Sequence, residues 1–209
     1  TSLGYNFSNN LKEVNIWNRT NTNKDIIIKK INSLSSMNLI DQLSPNFKVS
    51  QSLLNVVENS DIILICIKAQ SLINFLGKNY SFFENKPLVF CSKGIDSKTC
   101  LFQTQIGEKF LNKNNFLVLS GPGFASDIIK QKPIALSLAC NDSNLGKKVQ
   151  SIISSPNIRV YLNNDLIGTQ LGGALKNVIA IACGIADAKE LGESAKSAII
   201  TRGFFEIRQ

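Results

Sequence analysis

The sequence predicts an α/β fold, an open and mostly parallel sheet with helices on both faces, followed by the start of an α-helical domain. Three observations carry this. Over residues 1–164, short β-rich runs alternate with amphipathic stretches, as strand and helix units do. The run DIILICI at 61–67 is continuously apolar, as a strand covered on both faces reads. After about residue 164 the strand signal stops, and Leu171, Leu175, Val178, Ala182 and Ile185 recur at helical spacing.

In order, residues 1–10 read as a helix, EVNIWN as a strand, and a segment near 22–33 as a helix. FKVS is followed by the helical SLLNVVENS, DIILICIK by AQSLINFLG, and PLVFCSK by a helix near 99–112. FLVLSGPG leads into a short helix, then PIALSLAC, a helix near 143–154, and RVYLN. A dinucleotide-binding domain opens strand, Gly-rich turn, helix, with the pyrophosphate on the helix N-terminus. Here the first segment reads as that helix and EVNIWN as the second strand, so the opening strand and turn are missing from the order. The expectation is a Rossmann-like dinucleotide-binding domain over 1–164 and the beginning of a helical substrate domain over 165–209. A start at Thr1 and a stop at Gln209 in mid-pattern suggest a fragment.

Composition narrows the chemistry. The 209 residues are 44% hydrophobic, enough to bury a core. The longest uncharged apolar runs, IILICI and VIAIACGIA, fall short of the roughly 18 residues that cross a bilayer, so no integral membrane segment is expected. Five cysteines without CxxC spacing, and no histidine, argue against a Cys/His metal site or a disulfide framework and fit a reducing cytoplasm. Cys66, Cys91 and Cys140 lie in or beside apolar runs, where free cysteine acts as a small hydrophobe. Without histidine, proton transfer falls to lysine, a carboxylate, tyrosine or water. The net charge of +8 suits phosphorylated ligands as well as nucleic acid, but no basic-aromatic stacking motif accompanies it, so nucleic acid is not an expected partner.

Four short stretches carry candidate sites. After EVNIWN come Asn18, Arg19 and Thr20, with no carboxylate for adenosine ribose hydroxyls; Arg19 is either a solvated side chain or a partner for a 2′-phosphate. SKGID at 92–96 and SGPGFASDI at 120–128 stand at strand carboxyl ends, where ligands bind in open α/β sheets. Lys93 there can face a phosphate or carbonyl oxygen, or simply occupy a surface turn. LGGALKN at 171–177 is the strongest oddity. Gly172 and Gly173 cost a helix roughly 1 kcal/mol each against alanine, which fits close approach of a ligand or another backbone. Lys176 on that helix either exchanges a proton in a partly apolar cleft or snorkels to water.

Together, IWNR, SKGID, LSGPGFA, the segment SSPNIRVYLNNDLIGTQLGGALKNVIAIACGIADAKELG and SAIITRG resemble, in order and spacing across almost the whole chain, the bacterial NAD(P)-dependent glycerol-3-phosphate dehydrogenases. The resemblance implies reversible hydride transfer between NAD(P)H and dihydroxyacetone phosphate, giving sn-glycerol 3-phosphate for phospholipid synthesis. It implies a cytoplasmic oxidoreductase, with a homodimer as one possible assembly. By position, Lys176 matches the family's catalytic lysine, and Lys93 the lysine that contacts both substrate and cofactor. Asn177 matches a polar partner in the substrate site, Gly121 a substrate contact, and Ala125 and Arg19 cofactor contacts. Gly123 stands where the family usually has a serine or threonine that touches substrate.

Other departures concern what is missing. Thr1 matches the residue just after the last fingerprint glycine, and the family's later helices, with an aspartate beside the lysine and an arginine for the substrate phosphate, lie beyond Gln209. The fragment itself is therefore expected to be impaired. Two alternatives stand: a 3-hydroxyacid or 6-phosphogluconate type dehydrogenase, which separates its lysine and asparagine by a turn, and a non-catalytic nucleotide-binding remnant.

Overall fold

The computed structural model describes residues 2–11, 13–19, 23–35, 42–111 and 116–208. Thr1, Thr20, Gln209 and the ends of the helices expected from 22 and to 112 lie outside the described residues.

The elements follow the predicted alternation. They are α1 (Ser2–Ser8), β1 (Val14–Trp17), α2 (Lys24–Ser35), β2 (Phe47–Ser50), α3 (Leu53–Glu58), β3 (Ile63–Ile65), α4 (Leu72–Asn79) and β4 (Leu88–Phe90). Then come α5 (Gln103–Glu108), β5 (Phe116–Ser120), α6 (Ala125–Ile129), β6 (Ile134–Cys140), α7 (Ser143–Ile153), β7 (Ile158–Asn163), α8 (Leu166–Ala188) and α9 (Gly192–Arg208). Local chemistry sets several starts. Ser52, Asp142 and Asp165 each turn a side-chain oxygen onto backbone N–H groups in the first turns of α3, α7 and α8. The helix expected over 99–112 begins later, at Gln103, because the Asp96 carboxylate captures the N–H groups of Lys98 and Thr99 in a turn.

The strands form two sheets. β1 pairs in parallel with β2, and the second sheet runs β3-β4-β5-β6-β7, parallel except for the antiparallel β5–β6 pair. In a doubly wound sheet the first strand lies between the second and the fourth. Between β1 and β3 no strand is present among the described residues.

That gap corrects one expectation. DIILICI is not covered on both faces: Ile62, Ile63 and Leu64 are half-buried, Cys66 is exposed, and Ile65 alone is well buried. β3 is an edge strand of its sheet, so it lacks the neighbour a central strand has.

The core lies in three clusters. One fills the space around β5, β6 and α7 (Leu117, Leu138, Val149, Ile158), and a second packs α4 and α5 on β3 and β4 (Leu72, Leu76, Phe90, Ile106). A third joins α2 to β2 through Ile27, Ile31 and Phe47. Together they fix the carboxyl ends of β4 and β5 beside each other.

The helical end departs from its expected stripe. The buried residues of α8 are Gln170, Gly173, Cys183 and Ala186, whereas Val178 and Ile181 are 61% and 65% exposed. Small residues win the inner face because they let α8 lie close to β5 and to α9; a Cβ on Gly203 of α9 would sit 2.6 Å from Ile179 of α8. At 23 residues and mean hydropathy 1.4, α8 is also long and apolar enough to cross a membrane by length and composition, which a count of uncharged runs misses because Lys176 interrupts them.

Candidate active site

The site is built where β4, β5 and α8 meet. Lys93 follows β4, and its ammonium donates to the carbonyl of Gly121 at 2.9 Å. Lys176, from the middle of α8, donates to the same carbonyl at 3.3 Å. Gly123 N–H completes the set at 3.0 Å. Three donors on one carbonyl oxygen exceed its two lone pairs. An incoming oxygen, whether of a phosphate, a carbonyl or a hydroxyl, therefore has two ammonium groups to bind without breaking any element.

Burial lowers the Lys93 pKa to about 8, and the hydrogen bond and charge of Lys176 beside it push in the same direction. A lysine so placed gives up its proton at a lower pH than a solvated one.

Glycine is required at the shared carbonyl. Gly121 has φ +145°, and a Cβ there would lie 3.0 Å from the Ala135 carbonyl oxygen and 3.2 Å from Leu136 Cα, both on β6. Gly173 has a related role: a Cβ would meet Ser120 Oγ at 2.6 Å, so its absence lets α8 close onto the end of β5. Gly172 faces open space, with nothing within 4 Å of a Cβ. Of the glycine pair, only Gly173 serves close approach inside the fold, and Gly172 leaves room toward solvent.

The other expected residues distribute unevenly. Gly123 is half-buried in the same turn as Gly121, and a Cβ there would lie 3.3 Å from Leu136 Cδ2. Ala125 opens α6 next to it, half-buried. Asn177 is exposed and turned about 100° around α8 from Lys176, so it does not join the lysine pair in this arrangement. Arg19 is exposed just past β1, on the other sheet.

Several contributors have no clear signature in the sequence. Gln170 is 3% exposed; its side chain accepts from Thr104 N–H at 3.1 Å and donates to Thr104 Oγ1 at 3.0 Å, pinning α8 to α5. The one signal for it is a glutamine two positions before a glycine pair in an apolar helix. Ser92 Oγ is buried without a hydrogen-bond partner. Asp96 holds the SKGID turn closed, and hydrogen bonds from Thr99 backbone and hydroxyl keep its carboxyl below the ordinary range.

The family model for the N-terminal part of NAD-dependent glycerol-3-phosphate dehydrogenase matches residues 1–146, and that for the C-terminal part matches residues 165–209. The chain belongs to that family. The relatives of the glycerol-3-phosphate dehydrogenase family agree. The enzyme named glycerol-3-phosphate dehydrogenase [NAD(P)+] from Roseobacter denitrificans is 40% identical over 80% of this chain and 52% of its own length. That from Ehrlichia chaffeensis is 33% identical over 100% of the chain and 65% of its length. The crystal structure of glycerol-3-phosphate dehydrogenase from Coxiella burnetii superposes with a TM-score of 0.83 at 25% identity, covering 99% of this chain and 63% of that one. The chain thus spans about half to two thirds of the relatives it matches. Family membership removes the 3-hydroxyacid and 6-phosphogluconate alternatives.

The family cofactor is a nicotinamide dinucleotide, and the residues present fit it. Ser92 Oγ offers an unpaired polar atom at the carboxyl end of β4, one position before Lys93.

Proposed function

We propose that this chain carries the reacting centre of an NAD(P)H-dependent oxidoreductase that interconverts dihydroxyacetone phosphate and sn-glycerol 3-phosphate. The observation behind the proposal is the convergence of Lys93 and Lys176 on one carbonyl at the carboxyl edge of the sheet. The bound dinucleotide supplies the hydride. As a ketone carbon accepts it, charge grows on the ketone oxygen, and Lys176 is the group that donates a proton there; in the reverse direction it accepts one. Lys93 holds the substrate and borders the nicotinamide. Its partial burial strengthens each contact it makes with an anion.

In this reading residues 1–164 form the dinucleotide domain and 165–209 open the substrate domain, with α8 a core helix of that domain rather than a membrane span. Lys176 in its middle, the Gln170–Thr104 pair and its packing on α9 support that placement. Gly121 and Gly123 border the substrate, and Ala125 and Arg19 the cofactor. Asn177, the residue after Lys176 on α8, is a polar partner of the substrate site in this reading. Arg19 in place of a carboxylate favours acceptance of a 2′-phosphate, hence NADPH beside NADH. The setting is cytoplasmic glycerophospholipid synthesis, in a homodimer.

The test is oxidation of NADPH and NADH in the presence of dihydroxyacetone phosphate, by this chain and by a version carrying at both ends the segments its relatives have. Ketone-dependent oxidation by the extended protein supports the proposal. Dinucleotide binding without oxidation in either form points instead to a nucleotide-binding remnant.

A further inference from the structure

Two cysteines lie beside the lysine pair without a role in the proton transfer assigned to it: Cys91 comes two positions before Lys93, and Cys66 follows the neighbouring strand. β3 and β4 pair in parallel with Ile65 opposite Phe90, and the next positions along the two strands are Cys66 and Cys91. The pairing continues there, since Cys91 N–H donates to the Ile65 carbonyl at 3.0 Å. In-register neighbours on adjacent parallel strands project their side chains to the same face. Strand spacing is about 4.8 Å, within the roughly 4.4–6.8 Å between Cα atoms that a disulfide spans. The Cys91 thiol donates to the Val89 carbonyl of its own strand at 3.6 Å, and it lies near enough to Cys66 for each to shift the other's titration. Cys66 is an exposed residue and Cys91 a half-buried one.

We propose that Cys66 and Cys91 form a redox-active dithiol, which a hydroperoxide converts to an intramolecular disulfide at the carboxyl edge of the sheet. Cys66 attacks first. Its sulfur takes the outer peroxide oxygen, the O–O bond breaks, and the departing alkoxide or hydroxide leaves with the thiol proton as alcohol or water. Cys91 then attacks the sulfenic sulfur; the S–S bond forms, the S–O bond breaks, and the hydroxyl leaves with the Cys91 proton as water. Two thiols lose two protons and two electrons, and one hydroperoxide is reduced to alcohol and water.

The assignment of roles follows from surroundings. The neighbouring Cys91 thiol lowers the Cys66 pKa to about 7, whereas the Cys66 sulfur beside it and burial raise that of Cys91. An exposed thiol with thiolate character and a resolving thiol beside it is the pattern of a peroxide-sensitive pair. The remaining cysteines differ: Cys140 and Cys183 are buried, and Cys100 is exposed in the turn after SKGID, where it serves as an internal control. A transient disulfide of this kind is compatible with a reducing compartment. It does not depend on which reaction the lysine pair serves.

The experiment treats the reduced chain with hydrogen peroxide or tert-butyl hydroperoxide, blocks free thiols by alkylation, and maps the digest by mass spectrometry. The expected product is one linked pair of peptides, carrying Cys66 and Cys91, lighter by two hydrogens and separated again by dithiothreitol, with Cys100 still alkylated. Cys91→Ser is expected to hold Cys66 as a sulfenic acid that dimedone traps, and Cys66→Ser to leave Cys91 alkylatable; circular dichroism shows whether each variant keeps its fold. Linkage of Cys66 to Cys100, over-oxidation of Cys66 with Cys91 still free in the unsubstituted chain, or an alkylatable Cys66 while Cys100 is oxidised would overturn the proposal.

Discussion

Lys93, just after β4, and Lys176, on α8, donate to the same carbonyl oxygen, that of Gly121, at 2.9 and 3.3 Å. Two ammonium groups held this close, with no carboxylate paired to either among the described residues, form a site that gains from an anion.

Removing the α8 lysine should separate chemistry from cofactor binding. Lys176→Ala in the extended enzyme is expected to lower kcat by about 10²–10⁴-fold, the range general acid catalysis supplies. Dinucleotide affinity, measured by the fluorescence of NADPH, should change little. Turnover near that of the unsubstituted enzyme would exclude Lys176 as the proton donor.

The Lys93 ammonium gives a pH dependence with a definite sign. Its pKa is lowered to about 8, so it is charged below that pH and neutral above it. A phosphate monoester becomes a dianion above about pH 6. Substrate affinity should therefore be greatest between these values and weaken as pH rises past about 8. In Lys93→Gln the alkaline fall should disappear and affinity should be low throughout; an unchanged KM profile in that variant would contradict the placement of Lys93 on the anion.

Two glycines in the same site should respond in opposite ways to alanine. Gly121→Ala forces a Cβ onto the β6 backbone at positive φ, and is expected to destabilise by about 1–3 kcal/mol. Gly172→Ala meets open space within α8 and should stabilise by up to about 1 kcal/mol. Chemical denaturation of both variants reads this directly, and equal shifts would be evidence against a tight, positive-φ turn at Gly121.

Gln170 links α8 to α5. Gln170→Leu leaves the buried Thr104 N–H and hydroxyl without a partner, and should cost about 1–3 kcal/mol. Hydrogen exchange at the start of α5 should rise with it; protection equal to that of the unsubstituted chain would show that the bond does not hold the two elements together.

Much of this is legible in the residues. The strand and helix alternation places β3 to β7 and their helices within a few positions, because each strand is a short apolar run bounded by polar turns. SKGID, SGPG and LGGALKN mark the three segments that converge. What single segments do not encode is contact between them. Nothing local says that Lys93 and Lys176 share one carbonyl, or that Ser120 rests on Gly173. The inner face of α8 eludes the sequence for a related reason: periodicity finds the apolar stripe, but close packing selects the small residues, so Val178 and Ile185 face outward. DIILICI reads as a central strand because its composition is that of one, while its burial depends on a neighbour absent from the sheet among the described residues.

The decisive measurement is the rate of NADPH oxidation by the extended enzyme with dihydroxyacetone phosphate and with dihydroxyacetone, each with and without Lys176→Ala. Rapid oxidation that needs both the phosphate and Lys176 is the expected result. Oxidation at the same rate without the phosphate, or with alanine at 176, would contradict a site in which paired lysines bind a phosphorylated ketone and protonate it.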